Sequence, residues 1–297
     1  MPERLKNNPL LLSALLIVAS ELMFASMAAT IKIASVALPI EVIVFFRNLI
    51  VIILLLPWVF YYGFSLLSTE KLHLHFIRAL AGLGAMYCFF YTLANIPLAE
   101  AALLKMTLPF FLPIIAWLWL DERISGFIRL AIGVGFVGVG IILQPNWEHF
   151  NYIALFALLG SALAALAKVG IRKMASTEPS TRIVFYFSTI SAVVAALPLL
   201  WAWRTPDEQG WILLGMLGLF GTLGQLLMTK AYGLAPSGQL GGFSYVAVLF
   251  SSLYGWLLWD DLLDYWFFIG AVFIGCAGLM IMFESQRGHR GAVGSVL

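Results

Sequence analysis

One stretch of this chain occurs twice, and that repeat limits the fold more than any other feature. Residues 78–122 hold two apolar segments joined at Ile96-Pro97, with NIPLAEAALLKMTLPFFLPIIAWLWLDE across the joint. The landmarks return 139 positions later: Gly82 as Gly221, Pro97 as Pro236, Trp117 as Trp256 and Asp121 as Asp260, with Asp261 where Glu122 stood. Earlier in each half, at an offset of 140, Lys32 matches Arg172 and Pro39 matches Pro179. A 297-residue chain that repeats near its midpoint reads as two copies of one unit, residues 1–144 and 145–297.

The unit is suited to lipid. The chain is 62% hydrophobic and 11% charged, with mean hydropathy +0.97, whereas a soluble domain carries about 25% charged residues. No soluble core could hide that much apolar surface. Apolar runs fall at 10–31, 42–61, 74–94, 98–120, 124–143, 152–171, 183–203, 211–231, 238–259 and 265–283. Each approaches the ~20 helical residues that cross a ~30 Å hydrocarbon core, and barrel strands would alternate and be half as long. The expected fold is therefore all-α and integral to the membrane, with ten transmembrane helices, five per half. An odd number per half makes the second copy enter the membrane in the opposite sense. Such inverted repeats build many secondary transporters, with the site near the midplane.

Loop charge sets the expected orientation. With the N-terminus inside, the cytoplasmic side holds Arg4, Lys6, Lys71, Arg78, Arg123, Arg129, Arg172, Lys173, Arg182, Arg287 and Arg290. The other side holds only Lys32 and Arg204. Both termini are expected in the cytoplasm. The opening MPERLKNNPLLLSALL continues as an apolar run without a small-residue cleavage site, so it reads as a retained helix rather than a signal peptide.

Several function classes fall away. A net charge of +2 with no basic patch argues against nucleic acid. Cys88 and Cys276 lie in apolar runs, with neither metal-ligand nor disulfide spacing. The run Gly133-Val-Gly135-Phe-Val-Gly138 matches the dinucleotide pattern, but it lies inside an apolar span rather than between a strand and a helix. Gly133 and Gly138 are expected to pack against another helix, with Gly270, Gly275 and Gly278 as the counterpart. There is no Walker sequence, no nucleophile with its base, and no histidine sharing a span with a candidate ligand. The chain reads as no enzyme, with no cofactor and no metal.

Polar residues inside spans are the candidates for function, because their burial in lipid is costly. Glu21 is near the middle of the first span, on nearly the same face as Lys32. It reads either as a cavity carboxylate for a cationic group or proton, or as a carboxylate paired within the bundle. Lys105 lies seven residues into the fourth span, on a face that continues through Pro109, Pro113 and Trp117. It reads as a site for an anionic group, or as the partner of Glu100 near the outer surface. Tyr87 and Tyr91, one turn apart, either line a cavity or pack between helices. Gln225 and Lys230 occupy the equivalent stretch of the second half, and Tyr245 completes the candidate cavity. Lys168 reads as snorkelling to the cytoplasmic surface. Arg47 is buried in the second span and needs a partner that spacing does not name.

The ten spans, the paired halves, the basic residue followed by proline after the first span of each half, and the block PLAEAALLKMTLPFFLPIIAWLWLDE resemble the EamA family of the drug/metabolite transporter superfamily. Within it the chain is most similar to YddG-type exporters of amino acids and other metabolites. The resemblance implies a multi-pass carrier in the bacterial inner membrane, working by alternating access around a central cavity. Its expected partners are a small metabolite and the lipid bilayer, with a single chain as the working unit. The expected function is outward movement of small metabolites, amino acids first. Uptake or drug export by the same fold is the alternative, and an intramembrane lipid-modifying enzyme is the rival from another class.

Overall fold

The computed structural model of the protein describes residues 9–120, 124–143, 152–174, 177–234 and 245–294. Every regular element among them is helical. The first half holds α1 (Pro9–Ala34), α2 (Ile40–Tyr62), a short 3-10 turn (Phe64–Leu67), α3 (Leu72–Asn95), α4 (Leu98–Lys105), α5 (Leu108–Leu120) and α6 (Gly126–Leu143). The second holds α7 (Tyr152–Met174), α8 (Ser180–Ala196), the single turn α9 (Leu199–Ala202), α10 (Glu208–Leu234), α11 (Val246–Trp259) and α12 (Tyr265–Gly294).

Six helical stretches are long and apolar enough to cross a membrane: Leu11–Ala34, Ile40–Tyr62, Leu72–Asn95, Leu98–Trp119, Tyr152–Ile171 and Glu208–Met228. Four shorter apolar helices accompany them: Gly126–Ile141, Thr181–Ala196, Val246–Trp259 and Tyr265–Ile281. The outside is studded with large apolar side chains such as Leu118, Leu200 and Leu249, while Glu21, Arg47, Asn48, His75 and Arg78 are buried. Water would punish that arrangement and lipid favours it. This is a multi-pass membrane protein.

Proline decides where several helices start and stop. Pro39, Pro97 and Pro179 each stand in an extended conformation just before a helix, at ψ 147°, 144° and 145°. They supply a fixed φ and lack an N–H that would go unpaired there anyway. The fourth apolar run is not one helix but two. A proline clashes with the carbonyl four residues back, and four residues before Pro109 is Lys105, where α4 ends. In the last turn of α4 the Leu104 carbonyl accepts the Thr107 N–H at 3.1 Å and the hydroxyls of Thr107 at 2.7 Å and Ser161 at 3.3 Å. The run expected at 183–203 likewise divides at Pro198, into α8 and α9.

Helix contacts recur at a sequence offset of about 140. The closest pairs are α1 with α10, α3 with α7, and α6 with α12. The offset of about 140 carries α1 onto α7 and α3 onto α10, so the first two pairs are each other's counterparts. In the same way α5 packs on α7 as α11 packs on α1, and α3 packs on α8 as α10 packs on α2. One apolar core joins these helices, including Met27, Leu83, Phe90, Phe110, Leu217 and Ile274. The glycine pattern at 133–138 lies within α6, so it forms no phosphate loop.

A charged interior as the candidate functional site

Four basic side chains from four helices turn into the bundle. Arg47 on α2 is 3% exposed and Arg78 on α3 is 8% exposed. Both guanidinium groups lie against one ring, Phe187 of α8, at 5.8 Å and 4.1 Å from its centroid. Arg47 also donates a hydrogen bond from Nη1 to Asn48 Oδ1 at 3.1 Å. The Nε of each arginine has no hydrogen-bond partner.

Two glycines make room for these groups. A Cβ added at Gly82 would strike the Arg78 guanidinium and come within 2.8 Å of the Phe187 ring. A Cβ at Gly221 would lie 2.9 Å from Met27 Sδ and 3.5 Å from Arg47 Nε. Gly82 and Gly221 are the pair that the sequence places 139 apart, and Arg47 and Phe187 are separated by 140, the offset of Lys32 and Arg172.

Lys105 is the last residue of α4, where the negative end of the helix dipole favours a cation. Its ammonium lies 5.4 Å from the ring centre of Phe24 and 5.2 Å from that of Phe89. Lys168 on α7 stands in the same region. Glu21 is within electrostatic reach of both lysines, and Arg78 is within reach of Lys168. Both lysines are half-buried.

Other candidates lie elsewhere. Tyr87 buries a hydroxyl with no hydrogen-bond partner. Tyr91 rests on Phe156 of α7, ring centres 5.1 Å apart. Trp117 is 52% exposed on α5. Gln225 is half-buried on α10, one turn from Gly221, and Lys230 is exposed near the end of that helix. The Tyr245 hydroxyl donates to the Ile274 carbonyl at 3.3 Å and so belongs to the contact with α12. Gly138 meets α12 closely: an added Cβ would sit 2.7 Å from Phe273 Cβ and 2.9 Å from the Gly270 carbonyl. At Gly133 and Gly275 it would meet nothing within 4 Å. Sequence reasoning did not find Arg78, Lys168 or Phe187. Arg78 reads from sequence as a loop charge, and nothing in spacing marks a phenylalanine as the seat of two guanidinium groups.

The family is shown by comparison. Residues 11–144 and 151–283 each match the EamA-like transporter family. The chain belongs to that family. The pseudopaline exporter CntI of Pseudomonas aeruginosa is 32% identical over 263 residues, 88% of this chain and 92% of the relative. An S-adenosylmethionine uptake transporter of Rickettsia bellii is 29% identical, covering 82% of this chain and 84% of its own. A riboflavin transporter of Brucella anthropi is 27% identical, covering 86% and 92%. The fold is shared with a protein of known crystal structure, 18% identical with a TM-score of 0.65, over 93% of this chain and 98% of that one. This EamA-family chain therefore has transporters, not enzymes, as its relatives.

Proposed function

We propose that this protein is a secondary carrier that exports small carboxylate-bearing metabolites, of the amino-acid type, across the bacterial inner membrane. On this reading the chain spans the membrane ten times, as two inverted five-helix halves, 1–144 and 145–297, with both termini in the cytoplasm. The halves rock about the charged interior, which faces each side in turn. The single observation that carries the reading is the Lys105 ammonium held inside the bundle between Phe24 of α1 and Phe89 of α3, with Glu21 and Lys168 within electrostatic reach. Buried charges inside a bilayer mark a substrate path more often than a structural need. The paired packing of α1–α10 with α3–α7 supports the inverted arrangement, and the loop charges support the orientation.

Uptake is the second reading, because one group of relatives is named for uptake and another for export. Both readings share the site and differ in which side releases substrate. Liposomes holding purified protein separate them. Labelled amino acids are offered with and without an imposed pH gradient, and sidedness is fixed by thiol labelling at Val36 and Glu70 after their replacement by cysteine. Accumulation specific to protein-bearing vesicles is expected, with Val36→Cys labelled from outside intact cells and Glu70→Cys protected. No accumulation of any offered metabolite contradicts the carrier, and the reverse labelling contradicts the orientation.

A further inference from the structure

Among the described residues, the interior group sets four basic side chains against one carboxylate, Glu21. Arg47, Arg78, Lys105 and Lys168 form one connected electrostatic group with Glu21: Glu21 acts on both lysines, Lys168 on Arg78, and Arg78 on Arg47. Glu41, at the first turn of α2, acts on Tyr87 instead. An arginine keeps its charge in any protein environment, so the two guanidinium groups on Phe187 cannot relieve their crowding by losing a proton. The ring satisfies a face of each, but it takes none of the in-plane N–H groups. Arg47 gives one of these to Asn48, and both Nε atoms stay unmatched in the buried interior. A guanidinium edge of this kind fits an oxyanion by paired hydrogen bonds. At the other end of the group, the Lys105 ammonium offers donors of a different geometry.

We propose that the transported metabolite bears at least two acidic groups, one held by the Arg47–Arg78 pair and one by Lys105 and Lys168. Glu21 then separates the two lysines from full mutual repulsion and tolerates an amine on the same substrate. A substrate with a single carboxylate leaves either the two arginines without a counter-charge or the two lysines with Glu21 alone, which is the costly state. This rests on the carrier reading above and narrows its substrate class.

The test is competition in liposomes and ligand-dependent thermal stabilisation in detergent. The probes are aspartate against asparagine, glutamate against glutamine, and phosphoserine against serine. Each acid is expected to compete and stabilise at least about tenfold better than its less acidic mate, the worth of one added charge-assisted contact. In Lys168→Met and in Arg47→Lys that ratio is expected to fall toward one. The lysine variant keeps the question answerable if the arginine variant does not fold. The phosphoserine arm separates phosphate from carboxylate as the second acid, and a preference in either arm supports the proposal. Equal or better transport of the monoacids overturns it and leaves the carrier standing. Failure of every probe to move or stabilise a monodisperse protein overturns both.

Discussion

Lys32 and Asp261 face each other at 3.9 Å, tying α1 to the turn between α11 and α12. The lysine does a second job at closer range. Its ammonium donates to the Ile96 carbonyl at 2.9 Å, at the end of α3, and it lies 5.2 Å from the Trp259 ring centre. Lys32 and Asp261 are the landmarks whose counterparts in the other half are Arg172 and Glu122. Those two side chains lie outside the described residues.

The two contacts of Lys32 differ in strength. A partly exposed ion pair at that distance is worth about 0–1 kcal/mol, and a hydrogen bond from a charged donor to a carbonyl about 1.5–3 kcal/mol. Lys32→Met is therefore expected to lower thermal stability in detergent clearly more than Asp261→Asn. Equal losses would show that the ion pair, not the carbonyl contact, holds α1 at this end.

A second tie is sensitive to pH. Glu178, between α7 and α8, accepts hydrogen bonds from Thr69 Oγ1 at 2.7 Å and Arg182 Nη1 at 2.9 Å, and His75 Nε2 lies 3.5 Å away. Arg182 and Tyr186 also donate to the Leu66 and Leu67 carbonyls, so α8 is fastened to the chain leading into α3. Burial works to raise the Glu178 pKa, but the bonds from Thr69 and Arg182 outweigh it and hold the pKa below the usual carboxylate value. A lowered folded-state pKa contributes stability that is complete above the unfolded value of about 4.3 and is lost as pH falls through the folded value. Glu178→Gln is expected to lower stability at pH 7 and to flatten the loss below about pH 4.5. An unchanged acid limb in that variant would remove Glu178 from the tie.

The glycines of α6 divide sharply. A Cβ at Gly138 would press on the α12 backbone at the Gly270 carbonyl, whereas one at Gly133 would meet nothing. Gly138→Leu is expected to cost about 1–3 kcal/mol or more, as overpacking does, and Gly133→Leu about 0.5 kcal/mol or less. Melting curves in detergent distinguish them, and similar curves for both would mean that α6 and α12 meet on another face.

Much of this architecture could be read from the sequence because it rests on periodicity. The repeat-related glycines Gly82 and Gly221 both adjoin the charged interior, and prolines 39, 97 and 179 each open a helix. The failures have a physical cause. Steps of four placed Trp117 on one face with Lys105, but a face continues only along an unbroken helix. The break at Met106-Thr107 ends that register, and Trp117 is half-exposed. Lys168 was assigned to the surface from its place near a helix end. Its environment depends on which helix packs there, and Glu21 lies 147 positions away in sequence. Arg47 had no partner at helical spacing because its ring partner comes from the other half.

Lys105 joins the sequence, the site and the proposed function, and its removal is the most direct test. Lys105→Met keeps most of the apolar stem between Phe24 and Phe89, so folding should survive. In liposomes, transport of carboxylate-bearing metabolites is expected to fall by about tenfold or more, the worth of at least one charge-assisted contact. Adding Glu100→Gln is expected not to restore it, because Glu100 acts on Lys32 and the aspartates near the α11–α12 turn rather than on Lys105. Near-normal transport by the single or the double variant would contradict a substrate path through this interior.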